Sequence, residues 1–462
     1  MRRVDRREFL RMLGAAGTGA LLSRGARAAS PATGKPNIIW IMADDLGYAD
    51  LGCYGQQHIR TPNVDKLARE GTRFTQCYAG STVCAPSRSV LMTGRHTGHT
   101  TVRGNFSAIG KGRVPLEAKD VTVAEVLGRC GYATGIVGKW GLGEPRTTGV
   151  PNRQGFDFWF GYLNQRNAHS YYPPYLWRNE EKVVLEGNAG PKRGQYSHDL
   201  MTTEALGFLR RSVKAGKPFF LYGAYTIPHG KYEVPGDAPY TDKPWSTKLK
   251  NYAAMVTRLD GDVGRIMALL RELGVDGETI VFFTSDNGAA FVEETFDSSG
   301  PLRGHKRSLY EGGIRAPMVV RWPGQVKAGA VSDAVWTFWD FLPTAAELAG
   351  ARPPANIDGI SAVPTLLGRG RQKQHDFLYW EFHERRFAQA VRMGDWKAVR
   401  YGTDGELELY DLKADPSEKS NVAGEHGDVV RKIEAYLRTA RTESKHWPAR
   451  KGAGGGGGKK RT

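Results

Sequence analysis

Asn37-Ile38-Ile39-Trp40-Ile41-Met42-Ala43 runs without a break into Asp44-Asp45. After Asn37 every side chain of the run is apolar, with none of the alternation of a half-exposed strand. It reads as a strand buried on both faces that carries a pair of carboxylates at its C-terminal end. Two later stretches have the same form. Pro218-Phe219-Phe220-Leu221-Tyr222-Gly223-Ala224-Tyr225 ends shortly before His229, and Thr279-Ile280-Val281-Phe282-Phe283-Thr284 ends at Asp286-Asn287. Helical patterns lie between them, over Met255 to Leu270 and around Val123 to Leu127. Buried strands alternating with helices predict an α/β fold. Polar residues just past the strand ends stand where such sheets bind ligands.

Outward from this core the chain changes character. Gly368-Arg369-Gly370-Arg371-Gln372-Lys373 reads as an exposed connection. Short, alternating, aromatic-rich runs follow at Phe377 to Phe382, Phe387 to Val391, Trp396 to Tyr401 and Leu407 to Leu412, then a helical stretch from about Val429 to Arg441. These predict a small C-terminal antiparallel sheet with a helix. The expected organisation is a main domain over 29–368, a C-terminal subdomain over 369–445 and a disordered, basic, Gly-rich tail over 446–462. At the other end, Arg6-Arg7-Glu8-Phe9-Leu10, the run from Met12 to Leu22 and Ala26-Arg27-Ala28 have the layout of a twin-arginine signal peptide over 1–28. The twin-arginine export machinery is then a partner, and the protein is periplasmic or secreted. No other stretch is apolar for long enough to cross a bilayer, so stable membrane insertion is not expected.

The net charge is +17, but residues 1–28 hold seven arginines against Asp5 and Glu8, and residues 445–462 hold six lysines and arginines without an acid. Most of the excess therefore lies at the two ends, and no nucleic-acid motif accompanies it. The modest remainder suits an anionic substrate. Four cysteines, Cys53, Cys77, Cys84 and Cys130, are too few for a disulfide scaffold, although a Cys53–Cys77 pair stays open. Three of them read as small buried hydrophobes.

Cys84 stands apart. Cys84-Ala85-Pro86-Ser87-Arg88, continued by Leu91, Thr93, Gly94 and Arg95, fills every fixed position of the signature C-x-P-S-R-x-x-L-x-T-G-R. Pro86 suits the first turn of a helix. Cys84 would then sit at a helix N-terminus, where free amides and the helix dipole favour an anion. Further along come Gly138-Lys139-Trp140-Gly141, Pro228-His229, and Leu302-Arg303-Gly304-His305-Lys306 through Tyr310-Glu311-Gly312-Gly313-Ile314-Arg315. On these residues the chain resembles, from about Pro36 to Ala423, the formylglycine-dependent sulfatases of the alkaline-phosphatase-like superfamily.

The resemblance implies a large mixed sheet flanked by helices. It implies a maturation enzyme that oxidises Cys84 to a formylglycine, whose hydrated diol is the nucleophile. Asp44, Asp45, Asp286 and Asn287, with residue 84, would surround one calcium ion, or magnesium, as hard oxygen ligands. Arg88 would hold the diol through its guanidinium fork, Lys139 and Lys306 would bind the sulfate, and His229 would protonate the leaving alcohol. Gly141 departs from the pattern, since the family carries a histidine there. His169, in Asn167-Ala168-His169-Ser170, is expected to reach the same place as a base, with His198 and His305 as weaker candidates.

The implied reaction is hydrolysis of a sulfate ester to inorganic sulfate and an alcohol. Sulfated carbohydrate is the leading substrate class, because Tyr171-Tyr172-Pro173-Pro174-Tyr175 and Trp177 could stack on sugar rings. One alternative is a phosphonate or phosphate monoester hydrolase on the same scaffold, although no histidine beside Asp286 offers the ligands of a zinc pair. The other is a non-catalytic protein that binds sulfated glycans, for which Gly141 is the support.

Overall fold

Eleven strands form one mixed sheet in the computed structural model, which describes residues 34–451 apart from 111, 292 and 385. The signal peptide expected over 1–28 and the Gly-rich end from 452 lie outside the described residues. The strands are β1 (Asn37–Ala43), β2 (Thr72–Tyr78), β3 (Ala133–Lys139), β4 (Phe158–Tyr162), β5 (Tyr175–Arg178), β6 (Glu181–Val184), β7 (Phe219–Ala224), β8 (Thr279–Ser285), β9 (Arg315–Arg321), β10 (Ala330–Ser332) and β11 (Trp336–Thr337). Their order is β10-β2-β9-β8-β1-β7-β3-β4-β5-β6, with β11 also beside β2. The unbroken apolar run becomes the centre of the sheet: all of β1 is buried, and β7 and β8 flank it in parallel. β3 and β4 extend the parallel set, whereas β9 and β5 run antiparallel to their neighbours β8 and β4.

Register decides what meets at the strand ends. Met42 pairs with Ala224 on one side and Thr284 on the other, and Gly138 also pairs with Ala224. Asp44, Lys139 and Asp286 therefore leave the sheet at one edge and at nearly one level, the edge where parallel strands present ligand-binding residues. Successive β1 side chains alternate between two cores, as strand geometry requires. Ile38, Trp40 and Met42 pack with Phe282, Met318, Trp339 and Trp380, while Ile39 and Ile41 pack with Leu221, Phe283 and the helix Thr247–Glu272.

β12 (Leu378–Phe382), β13 (Ala388–Met393), β14 (Trp396–Tyr401) and β15 (Leu407–Asp411) form the separate antiparallel sheet, followed by the helix Gly427–Leu437. Buried Lys397 on β14 donates to Glu311 at 2.9 Å and to Glu418 at 3.3 Å, tying this sheet to the segment that enters β9. Structure continues past the expected start of the tail. Trp447 is buried and its Nε1 donates to Thr101 O at 2.9 Å, so 446–451 belongs to the folded body. All four cysteines are unpaired, including Cys53 and Cys77. No helix among the described residues is long and apolar enough to cross a membrane.

Candidate active site

Cys84 is the first residue of the helix Cys84–Thr93, whose ten residues are all buried. The N–H of Ala85, one residue on, donates to Asn105 Oδ1 at 3.1 Å. Cys84 Sγ lies 3.4 Å from Asp44 Oδ1 and 3.8 Å from Lys306 Nζ. Lys139 donates to Asp44 Oδ2 at 2.7 Å, and Lys306 donates to both oxygens of Asp45 at 2.6 Å. Asp45 has φ +70°, a left-handed conformation that Asp adopts more readily than most residues. Its N–H donates to Asp286 Oδ1 at 3.1 Å. Three carboxylates thus face two lysines and Arg88, and the cluster balances its own charge.

The electrostatics follow from burial. Burial pushes the Cys84 thiol up to about 12, reinforced by Asp44 and opposed by Lys139 and Lys306. Burial and the neighbouring Asp44 carboxylate push Asp286 up to about 6 against the pull of Arg88. Burial would raise Asp45 as well, but Lys306, His229 and Lys139 hold it well below the usual carboxylate range. Asp45 is ionised, and a thiolate at Cys84 is strongly disfavoured.

Asp44, Asp45 and Cys84 of the expected metal site come together, joined by His229, whereas the oxygens of Asp286 accept from Arg88 and from the Asp45 N–H. Ligand atoms of Asp44, Asp45, Cys84 and His229 all lie within 4.8 Å of one another. Asn287 donates through Nδ2 to Asp45 Oδ1 at 2.8 Å, and its Oδ1 is buried without a partner. An orphaned amide oxygen beside clustered carboxylates is a donor set that fits a hard divalent cation.

The structure redistributes two of the expected roles. Arg88 does not aim its fork at residue 84. Its Nε and Nη2 donate to Asp286 Oδ2 at 3.2 and 2.8 Å, and its Nη1 to Lys139 O at 2.6 Å, so it braces the acid cluster. His169 does not fill the space beside Gly141. Gly141 has φ +80°, and a Cβ there would stand 2.6 Å from Gln165 Nε2 and 2.9 Å from its Oε1, so the Gln165 amide holds that position. Gln165 Nε2 donates to Asn105 Oδ1 at 3.4 Å, which links it to the nucleophile helix. His169 instead stacks on His229, with ring centroids 4.3 Å apart and planes at 14°. His198 is a buried structural partner of Asp262 at 2.7 Å, and His305 Nδ1 sits 3.0 Å from Lys306 O.

His229 is fixed from two sides. Its Nδ1 donates to Gly230 O at 2.6 Å, leaving Nε2 to face Asp45 Oδ2 at 3.3 Å. The Tyr171 hydroxyl lies 2.9 Å from Thr226 O and 2.5 Å from His229 O. Burial, helped by Lys139 and Lys306, lowers His229 to about 4, although Asp45 opposes the shift. Burial and the adjacent His229 likewise lower His169 to about 4. Gln165 and Asn105 are site residues that motif reading does not single out, whereas Tyr171, expected to stack on a sugar ring, is fully buried and instead holds the backbone of His229.

Comparison with known proteins agrees with this geometry. The Sulfatase family matches residues 36–351, and the family described as N-sulphoglucosamine sulphohydrolase, C-terminal, matches residues 304–443. The chain is 35% identical over 418 residues to N-acetylgalactosamine-6-sulfatase of Homo sapiens, covering 86% of this chain and 77% of that protein. The crystal structure of Ps i-CgsB in complex with k-i-k-neocarrahexaose superposes with TM-score 0.77 at 32% identity, over 87% of this chain and 92% of that one. The phosphonate monoester hydrolase of Agrobacterium radiobacter, at 21% identity and TM-score 0.62, shares the fold alone. With the Sulfatase match spanning most of the large sheet and the strand-end residues that meet at Cys84, the chain belongs to the sulfatase family and is a sulfuric ester hydrolase.

Proposed function

We propose that the enzyme removes sulfate from sulfated carbohydrate with a formylglycine made from Cys84 as nucleophile. One observation carries the reading. A thiol raised to about 12 supplies almost no thiolate at neutral pH, yet it stands at the convergence of three carboxylates and three cationic side chains. A hydrated formylglycine would supply a hydroxyl nucleophile there and a second hydroxyl through which sulfate can be expelled.

The chain's own groups divide the remaining work. Lys139 and Lys306, held by Asp44 and Asp45, are the cations that meet the sulfate oxygens and offset charge as sulfur is attacked. Asp44 Oδ1, beside Sγ, is placed to take a proton from an oxygen on residue 84. Arg88 holds Asp286 and the Lys139 carbonyl in place. With Nδ1 committed to Gly230 O, His229 acts on the leaving alcohol through Nε2: burial keeps the free ring neutral, and the anionic sulfate ester bound beside it, together with Asp45, favours the protonated ring that then donates from Nε2. His169, kept neutral by burial and stacked ring to ring on His229, holds the acid's imidazole in place. Asp44, Asp45, Asp286 and Asn287 would hold one calcium ion, or magnesium, which would add positive charge at the nucleophile and the sulfate.

The names of the relatives, a hexosamine sulfatase and a structure with a carrageenan oligosaccharide, support a sugar substrate. The twin-arginine segment supports export to the periplasm or beyond, with oxidation of Cys84 by a maturation enzyme before export. The chain divides at 368/369 into a main domain from 29 and a C-terminal subdomain that extends past 445 to take in the buried Trp447. Peptide mass spectrometry of protein made with a maturation enzyme should find an aldehyde at residue 84, and Cys84→Ala should abolish sulfate release while the protein stays folded. Full activity with an intact thiol would end the proposal.

A further inference from the structure

Beyond the reacting centre, a hollow of about 390 Å³ opens beside the segments that follow β3 and β4. Its walls include Arg146, Trp159, Leu163, Tyr175, Trp177 and Lys182. That volume is within the usual range for a small-ligand site. The hollow is joined to the catalytic edge through one short segment. Tyr175 OH accepts from Asn167 Nδ2 at 3.3 Å, and Asn167 begins the turn Asn167–His169 whose histidine stacks on His229.

The lining is aromatic, cationic and short of acceptors. Tyr175 and Trp177 meet edge to face with centroids 6.2 Å apart. Lys182 Nζ sits 4.5 Å from the Tyr175 ring centre and 5.6 Å from that of Trp177, so its ammonium is held at the corner they make. Arg146 and Lys182 are exposed, and among the described residues neither pairs with a carboxylate. The acid on the rim, Glu180, is taken by Arg153 at 3.4 Å. Trp159 is buried and its Nε1 has no partner. Aromatic faces suit the apolar faces of a sugar ring, and two exposed cations without a carboxylate partner suit a ligand rich in anionic oxygens.

We infer that this hollow binds a second, negatively charged sugar unit of the substrate, away from the ester being cleaved, so that the enzyme selects oligosaccharides bearing more than one anionic group. The inference rests on the sugar-sulfatase reading and adds the place and chemistry of selection. Arg146 and Lys182 fix the anion, while Tyr175 and Trp177 support the ring.

The test uses full-length, metal-loaded enzyme with Arg146→Glu, Lys182→Glu and Trp177→Ala. Chondroitin sulfate and carrageenan tetrasaccharides serve as binding probes by calorimetry, a neutral tetrasaccharide as control, and 4-nitrophenyl sulfate as the small substrate. The wild type should bind at least one anionic tetrasaccharide and not the neutral one. Each charge reversal should weaken that binding at least tenfold while kcat/KM on 4-nitrophenyl sulfate stays within twofold. Unchanged tetrasaccharide affinity in both charge reversals overturns the inference, as does a wild type that binds neither anionic probe. Equal losses on both substrates overturn it too, because they would place these residues in general folding. A wild type that binds the anionic probe through Arg146 and Lys182 but releases sulfate from no ester would instead overturn the sulfatase reading and leave the hollow standing.

Discussion

Gly141→Ala combined with Gln165→Ala measures directly which group occupies the place beside the lysine segment. Two penalties fall on Gly141→Ala. The first is backbone strain at φ +80°, on the order of 1–2 kcal/mol for a non-glycine residue. The second is overlap, because the new Cβ would meet Gln165 Nε2, Cδ and Oε1 at 2.6, 2.8 and 2.9 Å. Gln165 is 4% exposed and tied to Asn105, so its amide cannot swing into solvent at no cost. Overpacking of this kind costs about 1–3 kcal/mol. Truncating Gln165 removes the overlap but leaves the strain, so the double variant should be more stable than the sum of the single losses by roughly the overpacking amount. Urea unfolding of the four proteins, read as midpoint shifts at constant slope, supplies the cycle. Additive losses would show that the glutamine does not hold this position, and the account of Gly141 would fall.

Three further outcomes follow from the site and its supports. His229→Ala should cost about 10²–10⁴ in kcat on a sugar sulfate and far less on 4-nitrophenyl sulfate, whose leaving group needs no proton. Equal losses on the two would remove His229 as the acid, and in the same assay His169→Ala, which removes the ring stacked on it, should slow the sugar sulfate more than 4-nitrophenyl sulfate. Chelation should abolish activity reversibly, and Asp286→Asn should lower metal occupancy measured by elemental analysis; full activity after exhaustive chelation would contradict the metal assignment. Glu381 is depressed from 4.5 to about 2: burial opposes the shift, and His383, Arg103 and Arg441 outweigh it. A depressed carboxyl contributes stability above its unfolded pKa and loses it as pH falls through 4.5 toward 2. Glu381→Gln should therefore flatten the acid side of the stability curve and cost about 3 kcal/mol at neutral pH; an unchanged acid slope would rule this out.

The core of the sheet was readable because its central strands carry their evidence locally. β1, β7 and β8 are apolar on both faces, so their limits and the polar residues at their ends show in the sequence alone. The outer hairpin was not readable. Glu181-Lys182-Val183-Val184 in β6 is an exposed edge whose pairing with β5 depends on the turn before it. The same contrast divides the site. Asp44, Asp45, Asp286 and Cys84 announce themselves by strand end or motif, whereas Gln165 sits in a loop without periodicity. Its role exists because Gly141 leaves room for it. Arg88 could be placed one turn after Cys84, but which acceptors fill its fork depends on where β3 delivers the Lys139 carbonyl. Trp447 stands just ahead of a basic, glycine-rich run and gave no sign of the contact with Thr101 that buries it.

The helix that begins at Cys84 has no exposed residue along its length, and Cys84 itself is 3% exposed. Any catalyst that must grip the backbone around this cysteine therefore competes against the folding clock. A chain that closes first is committed, because reopening the helix means dismantling the core it packs into and not merely lifting a lid. With formylglycine as the proposed nucleophile, slower folding at this segment, or translation that pauses after it leaves the ribosome, would raise the fraction of converted enzyme without changing a single contact in the finished molecule.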